Sequence, residues 1–245
     1  MTKDDLRRKV WMRLKLAEAI RFPAVEGRVP NFAGADHAAL LLGELTLWKR
    51  AKALKISSDA PQRSIRHLAI VQGKIVYIPV PHLRGDKCFV EIDPERLGVR
   101  ALRALSIKGA LRFGRLVAPH EMQPVDLIVC GSMAVSRQGA RLGSGGGYCD
   151  LEYALLRKDG KVREYTPILT TIHPLQIVEE RIPMRGHDLP VDFLVTPEQV
   201  IAAPSLHPRP RGIMWDLLAE ERIRAIPALQ RGRREVRGAP TPRQI

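Results

Sequence analysis

"VDLIVCGSMAVSRQGARLGSGGGYCDLEYALL", residues 125–156, sets three kinds of chain end to end. Its opening "VDLIVCGSMAVS" runs β-branched and small apolar residues together without polar alternation, the pattern of a strand covered on both faces. Its close, "YCDLEYALL", is helical in character. Between them "GARLGSGGGYCD", residues 139–150, holds five glycines, with Arg141 near one end and Asp150 at the other. A doubly buried strand, a glycine loop and a helix form one unit of an α/β domain, and ligands of open α/β sheets sit beyond the carboxyl ends of the strands, where this loop falls.

The flanking sequence supports the same class. Thr2 and Asp5 stand at capping-box spacing, and Leu6, Val10, Leu14 and Ala17 follow at helical intervals. "FPAVEGRVPNFAGAD", residues 22–36, breaks regular structure. Leu40, Leu41, Leu45 and Trp48 then suggest an amphipathic helix ending near Leu54. "ALKISSDAP" is strand-like up to Pro61, "RHLAIVQGKIVYIPVP" (66–81) reads as two strands joined at Gly73, and Asp93 before Pro94 starts a helix carrying Leu97, Leu102 and Leu105. "PILTTI" and "VDFLVT" supply two more strands. The expected fold is a single α/β domain over residues 1–205, with a largely parallel sheet flanked by helices. A basic carboxyl-terminal extension follows over 206–245, with a helix around 212–226 and no regular structure from about 231.

The chain has 245 residues and a formal net charge of +14. That charge draws it towards polyanions: nucleotides, polyglutamylated small molecules, RNA or acidic lipid. The tail "QRGRREVRGAPTPRQI" carries a dense share of the excess, so weak RNA or polyanion binding by a non-catalytic protein is the rival reading. Cys88, Cys130 and Cys149 are far apart and in no CxxC pair, which points to neither a disulfide framework nor a zinc site. The amino terminus has no signal-peptide pattern and no apolar run spans a bilayer; a cytoplasmic location without a membrane partner is expected.

Glycines let several amide N–H groups converge on one anion, most often phosphate, and the start of the following helix adds to that field. The loop matches neither the Walker nor the dinucleotide spacing, so residues alone leave two readings, a phosphate cradle or a tight turn. In the first, Arg141 adds a guanidinium and Asp150 holds magnesium alongside the phosphates. In "RGHDLPVDFLVT" Pro190 excludes a helix, placing Asp188 on a loop and Asp192 near a strand's start; Asp188 makes a second magnesium contact if it meets Asp150. Lys3 and Arg7 share one face of the first helix. His173 and His187 show no metal-ligand spacing.

These pieces resemble the 5-formyltetrahydrofolate cyclo-ligase family, also called methenyltetrahydrofolate synthetases. Its signature, a buried strand followed by G-x-R-L-G-x-G-x-G-Y-Y-D, is matched at Asp126, Gly139, Arg141, Leu142, Gly143, Gly145, Gly147, Tyr148 and Asp150. Its later elements resemble Gln176, His187, Asp188, Asp192 and Thr196, and its amino-terminal K-x-x-x-R resembles Lys3 to Arg7. The likeness covers about residues 2–201. "VPNFAGAD", residues 60–84 and residues 209–229 look like the branch called methenyltetrahydrofolate synthase domain-containing proteins. The resemblance implies ATP- and magnesium-dependent conversion of 5-formyltetrahydrofolate to 5,10-methenyltetrahydrofolate through phosphorylation of the formyl oxygen. Arg141 would be catalytic. Lys3, Arg7, Arg141, Gly143, Gly145, Gly146, Gly147 and Tyr148 would bind ATP, and Asp150 and Asp188 the metal. The sequence departs from the pattern at Cys149, where the family has a second tyrosine, at Ser144, where a basic residue is frequent, and in the folate-contacting amino-terminal segment, which has no counterpart in "VPNFAGADHAALLL".

Overall fold

The computed structural model describes residues 1–238. Its strands are β1 (Ala53–Ile56), β2 (Ile75–Pro79), β3 (Phe89–Ile92), β4 (Arg115–Val117), β5 (Leu127–Cys130), β6 (Ala134–Val135), β7 (Arg141–Leu142), β8 (Ile168–Thr171), β9 (Phe193–Val195) and β10 (Val200–Ala202). Eight of them form one sheet in the order β10-β9-β8-β5-β1-β2-β3-β4, while β6 and β7 form a separate hairpin. The strands from β9 through β8, β5 and β1 to β2 run parallel, and β3, β4 and β10 join antiparallel at the edges. The expected largely parallel α/β sheet is therefore present.

The helices are α1 (Lys3–Leu16), α2 (Ala35–Glu44), α3 (Thr46–Arg50), α4 (Arg63–Val71), α5 (Pro94–Leu97), α6 (Ile107–Phe113), α7 (Tyr148–Lys158), α8 (Glu220–Ala225) and α9 (Pro227–Gly238). Alternate side chains of the central strands point to opposite faces, so each strand feeds two cores. Leu54, Ile56, Leu127, Val129 and Leu169 pack with residues of α2 and α4. Ala53, Ile128, Cys130 and Ile168 pack with α7 and the extension. A third cluster sets Leu6, Val10 and Leu14 of α1 on Ala134 and Leu142 of the hairpin. The α1 capping box forms: the Thr2 hydroxyl accepts from the Asp5 amide at 3.1 Å, and the Thr2 amide donates to the Asp5 carboxylate at 3.0 Å.

Three element readings change. The first half of "RHLAIVQGKIVYIPVP" belongs to helix α4, because Ile65, Ala69 and Ile70 recur at helical spacing and are buried on one side. The helix expected to run to Leu54 ends earlier, and residues from Ala53 form the central strand β1. The helix begun at Asp93 stops at Leu97 and continues as tight 3₁₀ turns to Ala104.

The extension also differs. Its helix begins at Glu220, breaks before Pro227 and resumes as α9 to Gly238, where a chain without regular structure was expected from about 231. Ile223, Ile226, Ala228 and Leu229 are buried in the α7-side core, which stabilises that helix. Arg231 and Arg233 are engaged, facing Glu235 at 3.6 Å and Glu220 at 2.6 Å. The rest of the basic tail, 239–245, lies outside the described residues. Among the described residues no helix is long and apolar enough to cross a membrane.

Candidate functional site

The glycine loop links the β6–β7 hairpin to α7 beyond the end of β5. Gly139 has φ +79°, and a Cβ there would lie 2.3 Å from the Val191 carbonyl, so only glycine lets the loop pass the chain entering β9. Gly147 takes the left-handed N-cap position of α7 and brings no capping side chain, leaving the first amides of the helix without that partner. That end carries the positive pole of the helix.

Arg141 is 3% exposed and spends its fork inward. It donates to the carbonyls of Gly131 and Leu189, each at 3.1 Å, and to Asp150 Oδ1 at 2.6 Å. Burial opposes its charge, but Cys149 and Asp150 more than offset this and raise its pKa. Arg141 thus ties together the end of β5, the chain before β9 and the first turn of α7, while still lining the cleft above them. Arg7 donates to the Gly143 carbonyl at 2.8 Å, and its guanidinium lies 3.5 Å from where a Cβ on Gly145 would stand. Lys3 donates to Asp188 Oδ2 at 2.6 Å, which also accepts the Arg185 amide at 2.6 Å.

Asp150 and Asp188 meet through their neighbours, since Asp150 Oδ1 also accepts the Leu189 amide at 2.9 Å. Each uses one oxygen in these hydrogen bonds. Asp150 Oδ2 stands towards the glycine loop, and Asp188 Oδ1 has His187 Nε2 at 3.8 Å. A magnesium ion fits such a set, because it is usually held by one or two carboxylates with phosphate oxygens and water. Among the described residues no three His, Cys, Asp or Glu side chains gather to hold a metal by themselves.

The other residues matched to the signature are framework. Asp126 accepts the amides of Lys52 and Ala53, fixing the start of β1. Gln176 donates to the Ser132 carbonyl at 2.7 Å and accepts the His173 amide at 2.8 Å. Asp192 accepts the Ile168 amide at 2.8 Å and bonds Arg209, which joins β8 to the chain entering β9. The Thr196 hydroxyl closes the β9–β10 turn.

A cleft of about 720 Å³ opens over the loop, bounded by the ends of β1 and β2 and by residues 22–31. Sequence reasoning missed its floor, where Asp59, Cys149 and Glu152 line the cleft, and the lysine buried beneath them. Lys55, 1% exposed, stands mid-strand in β1 with Glu152 of α7 at 2.5 Å and Cys149 Sγ at 3.9 Å. A lysine inside an otherwise apolar run was the available signal. Contact with Cys130 lowers the Cys149 pKa to about 7; burial works against this, and Lys55 and Arg141 assist it. Asp59 follows β1, and its Oδ2 lies 2.3 Å from where a Cβ on Gly131 would stand. Burial and then Glu152 raise its pKa, against the pull of Lys55, Arg66 and Arg141. Above the floor, Tyr148 is clamped from two sides. His82 Nδ1 lies 2.9 Å from its hydroxyl, and Arg222 of the extension sits over its ring at 4.8 Å while donating to the Gly146 carbonyl.

A family model described as the 5-formyltetrahydrofolate cyclo-ligase family matches residues 2–197. The methenyltetrahydrofolate synthase domain-containing protein of Mus musculus is 36% identical over 236 residues, covering 94% of this chain and 63% of its own length. That of Homo sapiens is 33% identical over 94% of this chain and 61% of its own length. The chain therefore spans under two thirds of the length of these curated relatives. Among solved structures, the 5,10-methenyltetrahydrofolate synthetase of Aquifex aeolicus superposes with a TM-score of 0.52 at 23% identity, covering 83% of this chain and 93% of that one, a likeness of fold.

Proposed function

Because the chain belongs to the 5-formyltetrahydrofolate cyclo-ligase family, we propose that it closes 5-formyltetrahydrofolate to 5,10-methenyltetrahydrofolate at the expense of ATP. One observation supports this above the others: Arg7 and Arg141 both stand against Gly143, Lys3 holds Asp188, and the loop lines a cleft of about 720 Å³, within the size range of small-molecule sites.

A formamide oxygen is a poor leaving group. Transfer of the γ-phosphoryl to it gives an iminium phosphate, which the neighbouring folate nitrogen attacks with release of phosphate; ADP is the other product. Such a transfer needs positioning and charge neutralisation rather than a protein nucleophile. The loop amides and the start of α7 would cradle the phosphates. Lys3, which donates to Asp188, would exchange that carboxylate for a phosphate oxygen. Asp150 and Asp188, each with an oxygen outside its hydrogen bonds, would hold magnesium, whose charge offsets that of the phosphates. Arg141, locked by three acceptors, would keep the loop in register and present its remaining N–H groups to the transferring group. Tyr148 would contact the bound substrates. Asp59 and Glu152, the latter held by Lys55 beneath it, would give the part of the cleft left to the folate a polar end.

The test is to mix the purified protein with ATP, magnesium and 5-formyltetrahydrofolate and follow the methenyl chromophore. Its appearance only with all three supports the reading. Absence of product from a protein that still binds ATP would reject the folate activity and retain the nucleotide site.

A further inference from the structure

A second pocket, of about 260 Å³, shares Gly147 and Asp150 with the cleft but is otherwise built by α7, the extension and His187. Its walls are Leu151 and Ala154 on one side and Ile213, Met214, Leu217 and Leu218 on the other. Arg222 and His187 stand in the same wall, so the pocket is apolar along its body and polar where it meets the loop. Two atoms of that polar part, Arg222 Nε and His187 Nδ1, are buried without a hydrogen-bond partner. A buried polar group left in that state is unfavourable, and a polar ligand atom in the pocket would supply the missing partner.

The volume lies just below the roughly 300–1,000 Å³ of pockets that take a whole small molecule. It suits one flat ring system joined to something outside. What lies outside, one residue away, is the glycine loop: Arg222 donates to Gly146 and its Nη2 lies 3.8 Å from where a Cβ on Gly147 would stand. Met214 lies 3.2 Å from where a Cβ on Gly186 would stand, which brings the pocket wall beside the segment carrying His187 and Asp188. A molecule with an apolar-faced ring at one end and phosphates at the other matches this continuity.

We propose that this pocket holds the purine base of the nucleoside triphosphate whose phosphates lie on Gly143–Gly147, making the carboxyl-terminal extension a wall of the nucleotide site. The assignment rests on the phosphate-cradle reading above and adds to it the base and the segment that receives it. Arg222 joins the two ends, with its guanidinium over Tyr148 and its Nη2 on the loop. The large cleft is then left to the second substrate.

The experiment titrates the full chain with Mg-ATP, Mg-tripolyphosphate and adenosine, and repeats this for Met214→Trp, which fills the pocket. Leu217→Asp, at a position 54% exposed, serves as a second variant if the first fails to fold. ATP is expected to bind at least about tenfold more tightly than tripolyphosphate, and either variant to remove about that factor for ATP, near 1.4 kcal/mol, while leaving tripolyphosphate unchanged. Equal binding of ATP and tripolyphosphate by the wild-type protein, or variants that leave ATP affinity unchanged, would overturn the base pocket alone. Adenosine binding that is lost in the variants, with no tripolyphosphate binding, would overturn the cradle and keep the pocket.

Discussion

The rim of the glycine loop and the floor of the cleft both gather charge, but they hold it in different ways. At the rim, Lys3 and Arg7 are partly exposed and their partners, Asp188 and the Gly143 carbonyl, can be exchanged for a ligand's oxygens. On the floor, Lys55 and Glu152 are enclosed, 1% and 8% exposed at the side chain, and Arg141 is fixed by three acceptors. Rim contacts are open to solvent on the side of the cation, and pairs screened by water in that way are worth about 0–1 kcal/mol to stability. Breaking a buried pair leaves an uncompensated charge and costs about 3–5 kcal/mol. The rim is thus suited to capture and release, and the floor to holding shape.

The largest effect is expected at Arg141. Arg141→Ala strands Asp150 and two carbonyls and should lose about 3–5 kcal/mol of stability by urea unfolding. A loss below about 1 kcal/mol would remove Arg141 from the framework. Lys55→Met should cost a similar or slightly smaller amount by leaving Glu152 buried and unpaired, while Lys55→Met with Glu152→Leu should recover most of it. A double variant no better than the single one would show that the pair does not act as a unit.

Lys3→Ala marks the opposite behaviour: stability should change by less than about 1 kcal/mol, and Mg-ATP affinity should fall about tenfold. Loss of stability without loss of affinity would place Lys3 with the floor. The smallest effect concerns reactivity. The folded Cys149 pKa is lowered to about 7, so its alkylation by iodoacetamide should rise through pH 7, well before the ordinary thiol range near 9. The sign follows: the thiolate favours the folded state above pH 9, and that contribution is lost as pH falls through about 7. Lys55→Met should move the alkylation midpoint upwards. An unchanged midpoint would separate the thiol from the floor charges.

The same division explains what the sequence discloses. The rim is written in short-range signals: a capping box at Thr2, glycines that demand special backbone angles, and a turn of helix carrying Lys3 and Arg7. The buried strand before the loop could be read because residues 127–130 are apolar on both faces. The floor depends on long-range pairing. Lys55 meets Glu152 only because β1 lies beside β5 and α7 crosses that face, and strand order has no local signature. Helix α4 resembles a strand in sequence because its apolar residues crowd into 65–71, where β-branched content and helical spacing compete. Arg222 was hidden for a further reason: its helix packs through Ile223, Ile226 and Leu229 against α7, so a segment that reads as a basic tail becomes part of the core.

The central claim is that Gly143–Gly147 binds phosphate, and Gly145 tests it most directly. Its φ of +107° is closed to branched side chains, and a Cβ there would meet the Arg7 guanidinium at 3.5 Å. Titration of wild-type protein and Gly145→Val with Mg-ATP should give saturable binding by the first and at least about a tenfold loss in the second, with the melting transition retained. Equal affinity in the two proteins, or no binding by the wild type, would contradict it.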